Sequence, residues 1–366
     1  MSLPPHIEQL FDKMDGLVLR IAARPLYAAF FAVAAAFWLY GVGLAPYNHY
    51  YELSLSPFER YTHGAYIQDS LLLPLLAHFT GLNSSMVLFT VFTLVVFALS
   101  FFLFAGFKNL SPQARFFGML ALVVSPASLV VLSWPGMPDS LTVLFTVLAC
   151  FSGSIFWLFL AGLLGVANHP MFLLIGAALI ALRLARRENA FGRRHALALG
   201  LGMLAGYAFV QGFIAYYQID LFPSRLDIFR LTDPLDWVVS KTMQAPMAAF
   251  SLYRGFWLLM PICLLYNRKS YAVVFGLTQL GAAGVTLFMF DTTRVFSLLT
   301  LGPLLHLLVS TVDGSDPGYQ PLLRRILLTA SIFSLFLPVY FIWNDQTILA
   351  GSASLPAIIV NLLFHR

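Results

Sequence analysis

The chain has 366 residues, 60% of them hydrophobic and 10% charged, with a mean hydropathy of +0.83. A soluble globular domain carries about 45–50% apolar and about 25% charged residues, so this composition excludes a water-soluble fold and a disordered chain and predicts a polytopic helical membrane protein. The formal charge is +5, but so low a charge content excludes a nucleic-acid-binding chain, and the placement of Lys and Arg along the sequence matters more than their sum.

Residues 1–24 are polar and amphipathic, hold Glu8, Asp12, Lys13, Asp15, Arg20 and Arg24, and lack a small-residue cleavage site, so they are expected to form a cytoplasmic segment ahead of a retained first span. Residues 25–366 are expected to form a single transmembrane domain. Apolar runs place spans near 25–45, 84–107, 116–133, 139–152, 154–167, 170–185, 196–217, 247–266, 271–290, 294–311, 325–343 and 347–364. That makes about twelve at about 20 residues or fewer each, an all-α transmembrane bundle. Two outer loops are long, 46–83 and 218–246. The first contains Tyr66–Thr80, where Leu71, Leu72, Leu75, Leu76 and Phe79 form an apolar side and Gln68, Asp69 and His78 stay off it, which predicts a helix kinked at Pro74 and lying at the membrane surface. Cys150 and Cys263 fall inside spans without metal-type spacing and read as small packing residues. Phosphate-loop and dinucleotide fingerprints are absent from the sequence.

With the N-terminus inside, all but six of the 21 Lys and Arg fall on the cytoplasmic side, the six being Arg60, Arg225, Arg230, Lys241, Arg254 and Arg294. This is the asymmetry of the positive-inside rule. Ten of the 16 acids fall on the outer side, so chemistry is expected to collect there.

Glu52, Glu59 and Asp69 lie in the first outer loop, where a carboxylate beside the bilayer gains basicity by desolvation; solvated loop acids would look the same in sequence. Asp139, in Ser133-Trp-Pro-Gly-Met-Pro-Asp139-Ser140, either caps the helix that it opens or aims a carboxylate into an outer cavity, where a sugar hydroxyl, a phosphate or a metal could sit. Asn168 and His169 join two spans at the same face, and the histidine can donate to a phosphate or relay a proton, unless it is simply a polar turn residue. Asp291-Thr-Thr-Arg294 opens a late span; charges at membrane depth are costly and tend to be functional, and an Arg fork matches a lipid phosphate, although Arg294 could also pair with Asp291. Arg254 is a second cation of this kind. The common outer placement of these residues predicts one outward-facing site, and the lack of charges deep in most spans speaks against a midplane ion relay.

The order of one span, a long outer loop with an interfacial helix and acids, then short helical hairpins resembles the GT-C superfamily of integral membrane glycosyltransferases. Local matches are Tyr66–Pro74 running into Leu-Leu-Ala, Pro138-Asp139-Ser140, Gly165-Val-Ala-Asn-His169 and Asp291-Thr-Thr-Arg294-Val, over residues 25–185 and 285–305. The chain departs from the family in lacking the paired acids that some members carry just after the first span and an extra outer soluble domain. The resemblance implies an inverting transfer of sugar from a polyprenyl-phosphate donor to a cell-envelope glycan, lipid or protein acceptor, outside the cytoplasm of a bacterial inner membrane. Glu59, Glu52 or Asp69 would serve as base, Arg294, Arg254 and His169 would bind the donor phosphate, and Asp139, Asp291 and Asn168 would orient the sugar or a metal. No cofactor is fixed by it, with a divalent cation, Mg or Mn, the one candidate. A lipid or glycan transporter and a catalytically silent scaffold are the alternatives from other function classes.

Overall fold

The computed structural model describes residues 5–43, 48–62, 64–187, 191–222, 239, 253–287, 291–314, 320–337, 339–343 and 346–350. The described residues are helical apart from one short hairpin. In chain order the helices are α1 (Pro5–Ala22), α2 (Pro25–Tyr40), α3 (His49–Leu55), α4 (Leu72–Thr80), α5 (Met86–Gly106), α6 (Pro112–Val124), α7 (Pro126–Ser133), α8 (Asp139–Phe151), α9 (Ile155–Asn168), α10 (Phe172–Arg186), α11 (Arg193–Tyr216), α12 (Phe256–Leu265), α13 (Lys269–Leu287), α14 (Thr292–Gly314) and α15 (Gln320–Phe336). Proline explains several starts: it opens α1, α2, α6 and α7, where its missing N–H costs nothing. The Ser125-Pro126 step breaks what hydropathy reads as one span into α6 and α7, bent by 53°.

α14 is the central helix. Of its most apolar window 94% is buried, and it packs against α6, α7, α8, α10, α12, α13 and α15. Its interior Ser297, Thr300, Ser310 and Thr311 hydroxyls donate to carbonyls three or four residues earlier on the same helix, so these polar groups need no outside partner. α5 and α11 lie at the periphery. On α5, Val87, Val91, Val95 and Leu99 form a stripe at four-residue spacing, exposed by 72%, 47%, 49% and 48%. In water such a stripe has no partner; in hydrocarbon it is the solvated face.

Among the described residues three helices, α5, α11 and Thr293–Gly314 of α14, are long and apolar enough to cross a membrane, and up to five if the bent pairs α1–α2 and α6–α7 each count as one span. The helices follow the expected spans from 84 to 311 in order. The end of the described chain differs from expectation. In place of a span over 325–343, α15 stops at Phe336, and Val339–Trp343 pairs antiparallel with Gln346–Ala350. Pro338 and a Val-Tyr-Phe-Ile-Trp run of β-branched and aromatic residues account for the change from helix to strand. Most of the expected span 347–364, and of the loop 218–246 all but 218–222 and Val239, lie outside the described residues.

The expected surface helix Tyr66–Thr80 is divided into a 3₁₀ turn at Ala65–Asp69 and α4. The break falls before Pro74 rather than at it, because a proline ring clashes with the carbonyl four residues earlier and lacks the N–H that would continue the ladder, so it is tolerated only in the first turn of α4.

Helix α9 crosses α11 with the two backbones in close approach. A Cβ added to Gly202 would strike the Phe159 carbonyl, one added to Gly206 the Leu163 carbonyl, and one added to Gly162 the Leu199 carbonyl. Three hydrogen-only positions thus let two backbones touch, the small-residue packing of helices in lipid. Gly202→Val is expected to destabilise the chain by ~1–3 kcal/mol through overpacking, read as a lower unfolding midpoint in detergent. Gly212→Ala, with open space around its Cα, is expected to raise that midpoint slightly.

Candidate functional site

The turn Pro135-Gly136-Met137-Pro138 sets the first residue of α8. Gly136 takes φ +98°, a backbone that L side chains avoid, and its N–H donates to Thr93 of α5 at 3.0 Å. Asp139 therefore enters the bundle fully buried as the opening residue of α8. It does not cap the helix: the cap residue is Pro138, and no side chain closes that end. Its carboxylate instead meets Arg294, from the first turn of α14, in a two-bond fork: Nε to Oδ2 at 2.6 Å and Nη2 to Oδ1 at 2.8 Å.

Asp291 precedes α14 and accepts the Arg294 backbone N–H at 3.4 Å, while its Oδ2 stands 3.6 Å from Arg294 Nη1. One guanidinium thus faces two buried carboxylates, an excess of one negative charge if both are ionised. Asp291, which lies outside the apolar segment beginning at Thr293, responds to this: burial pushes its carboxyl up to about 7, against the opposing pull of Arg294 and with a further push from the charge on Asp139.

The end of α9 joins the same cluster. Asn168 is fully buried and its Nδ2 donates to the Pro138 carbonyl at 2.8 Å and to Thr142 Oγ1 at 3.0 Å, clamping the turn that presents Asp139. Its Oδ1 is buried and has no hydrogen-bond partner among the described residues. His169, also buried, accepts the Met171 N–H on Nδ1 at 3.2 Å, which puts the proton of the neutral ring on Nε2. Tyr50 of α3 is buried within electrostatic reach of Arg294.

The expected residues thus divide. Asp139, Asp291, Arg294 and Asn168 come together, with His169 beside them in sequence. Asp69 approaches through the backbone: two residues on, the Leu71 N–H donates to the carbonyl of Ala167, the neighbour of Asn168. Asp69 is partly buried and accepts the Ser70 hydroxyl at 3.1 Å. Glu52 belongs to a separate, half-exposed group, accepting the Tyr61 hydroxyl at 2.5 Å and Asn48 Nδ2 at 2.9 Å, with His49 Nδ1 2.6 Å from the same Tyr61 oxygen. Glu59 is exposed. Arg254 is buried, and its bonds run to the Ser334 carbonyl and the Tyr40 hydroxyl rather than to a member of the cluster. Thr142, one turn beyond Asp139 on the same helical face, was discoverable by spacing; Tyr50, on the short helix α3, and Tyr61 carry no such signal.

A divalent cation does not fit these carboxylates. Both oxygens of Asp139 are taken by Arg294, and among the described residues no group of three or more His, Cys, Asp and Glu is placed to hold a metal. What the cluster offers is a neutral-to-anionic, hydrogen-bonding surface suited to hydroxyl groups, with one guanidinium at its centre.

Two outcomes are expected. Arg294→Met alone leaves the buried Asp139 carboxylate without its partner and costs ~3–5 kcal/mol, whereas Asp139→Leu with Arg294→Met recovers most of the loss; unfolding in mixed micelles measures both. An unfolded Asp titrates at about 3.9, so between there and about pH 7 the folded chain keeps a proton on Asp291 that the unfolded chain has released. Stability therefore falls as pH rises through that window, by at most ~1.4 kcal/mol per pH unit, and Asp291→Asn removes this slope. The chain matches no protein-family model, no curated protein and no solved structure, so the chemistry of the cluster carries the functional reading.

Proposed function

We propose that the protein is a membrane glycosyltransferase of the GT-C kind, its N-terminus in the cytoplasm of a bacterial cell and its site on the outer face of the inner membrane. It would move a sugar from a polyprenyl-phosphate carrier to a glycan, lipid or protein acceptor of the cell envelope. One observation carries this reading: Asp139, Asn168, Asp291 and Arg294, spread over 155 positions of sequence, meet at one end of an apolar helical bundle, beneath the loop that holds Asp69.

Each group has a part in the transfer. Arg294 holds Asp139 through Nε and Nη2 and faces Asp291 with Nη1 at 3.6 Å, and its positive charge would stabilise a donor phosphate, whose charge grows as the bond from the anomeric carbon breaks. Asp291 and the unpartnered Oδ1 of Asn168 accept sugar hydroxyls. Asp69 is the favoured base. It is partly buried where Glu59 is exposed, and it adjoins the Asn168 end of α9, whereas Glu52 belongs to the separate group with Tyr61 and Asn48. As the acceptor oxygen attacks the anomeric carbon from the face opposite the phosphate, its proton passes to the Asp69 carboxylate and the polyprenyl phosphate leaves with the bonding electron pair. The anomeric centre inverts.

Proteoliposomes supplied with a panel of polyprenyl-phosphate sugars and envelope acceptors test this. Wild-type protein is expected to consume one donor, Asp69→Asn to lower kcat by about 10²–10⁴, and Glu59→Gln to leave it unchanged. Folded wild-type protein that consumes no donor, yet equilibrates one across the bilayer, would overturn the transferase reading in favour of a transporter. Full activity in Asp69→Asn would remove the base assignment alone.

A further inference from the structure

At the end of the bundle opposite Asp139 lies a cavity of about 320 Å³, to whose lining α10, α14 and the segment after α5 contribute Arg183, Arg186, Arg187, His306, Asp313 and Asn109. Among the described lining residues are three guanidinium groups and one carboxylate. Arg183 is buried and donates to the carbonyls of Ala149 at 2.7 Å and Ser152 at 3.0 Å, and its guanidinium stacks 4.0 Å over the Phe191 ring. Arg186 donates to the Ser310 carbonyl at 2.8 Å. Carbonyl oxygens hold these forks in place. Arg187 ends α10 with φ +60°, a left-handed turn that is uncommon for a residue with a side chain. Asp313, the carboxylate in the lining, receives the Ser111 backbone N–H at 3.4 Å.

We infer that this cavity is a binding site for a phosphate-bearing anion, with Arg186 and Arg187 as its ligating groups and Arg183 as the buried charge behind them. Guanidinium forks match phosphate oxygens, and a basic cavity between helix ends near a membrane surface is suited to an acidic lipid headgroup. A free phosphate offers the same oxygens. The volume accommodates either an inorganic phosphate with water or a phosphoglycerol group. The inference stands apart from the proposed transferase site, because it uses other residues at the other end of the bundle.

The test uses the full chain. In neutral detergent, the thermal midpoint is followed against inorganic phosphate and against chloride at equal ionic strength. In parallel, lipid retention is read by native mass spectrometry from nanodiscs of phosphatidylcholine with and without phosphatidylglycerol. Wild-type protein is expected to show a saturable upward shift with phosphate, or at least fivefold preferential retention of phosphatidylglycerol. The first outcome identifies a free phosphate, the second a lipid headgroup, and either supports the site. Arg187→Gln, at an exposed position, is expected to weaken the effect at least threefold, and Arg186→Gln with Arg187→Gln to abolish it. Arg193→Gln with Arg194→Gln, two exposed charges at the start of α11 outside the lining, is expected to leave it unchanged. No difference from chloride and from phosphatidylcholine in wild-type protein, or equal losses in the two double variants, would overturn the inference.

Discussion

The fork between Arg294 and Asp139 fixes the geometry on which the candidate site depends. It joins the first turn of the central helix α14 to the first residue of α8, across a part of the bundle where the Asp139 and Arg294 side chains are 1% and 12% exposed. Removing two charges from water costs several kcal/mol per ion, and their attraction rarely does more than offset it, so a well-packed apolar pair would serve stability at least as well. The fork is therefore better explained by what it positions than by what it stabilises. It sets Asp291 against a second charge, turns the far edge of Arg294 away from Asp139, and anchors the turn that Asn168 clamps.

From that anchor the arrangement extends outward through backbone contacts. Leu71 bonds Ala167, the neighbour of Asn168, and α4 packs on α9, so the segment from α3 to α4 is tied to the helix that bears Asn168. Tyr50 comes from the same segment. Tyr50 is buried beside Arg294 and limits the water that can reach it. Electrostatic interactions strengthen as water is excluded, and the raised Asp291 carboxyl is one sign of this.

The sequence made the helices legible because apolar runs, Pro-led starts and Gly-bearing turns are local signals. Asp139, Asn168, His169, Asp291 and Arg294 were legible as a set because each lies at a helix end, but the bond between Asp139 and Arg294 was not, since a pairing across 155 positions leaves no periodic trace. For the same reason Asp139 read equally well as a helix cap. The hairpin after α15 was hidden by its hydrophobicity: a run such as Val339–Trp343 suits a span or a strand, and only its pairing with Gln346–Ala350 distinguishes them. Glu52, Glu59 and Asp69 differ in burial and partners, which composition cannot report.

α8 shows why charge gathers where it does. A helix ends with free N–H groups at one terminus and free carbonyls at the other, and away from water both must be met by the protein. Thirteen residues long and almost wholly buried, α8 carries a carboxylate in its first turn, where the helix dipole favours an anion, and receives a guanidinium at its last carbonyls, where the dipole favours a cation. Asp139 and Arg183 are thus accounted for by the helix they terminate. The same reasoning does not reach Asp291, the free oxygen of Asn168, Arg186 or Arg187, none of which is needed to finish α8. Among the described residues, the surplus at one end is acidic and hydrogen-bonding, around the Arg294 guanidinium, and at the other it is basic. A bundle that needed only to fold would not require either excess, and two ends so different in charge are suited to two different ligands.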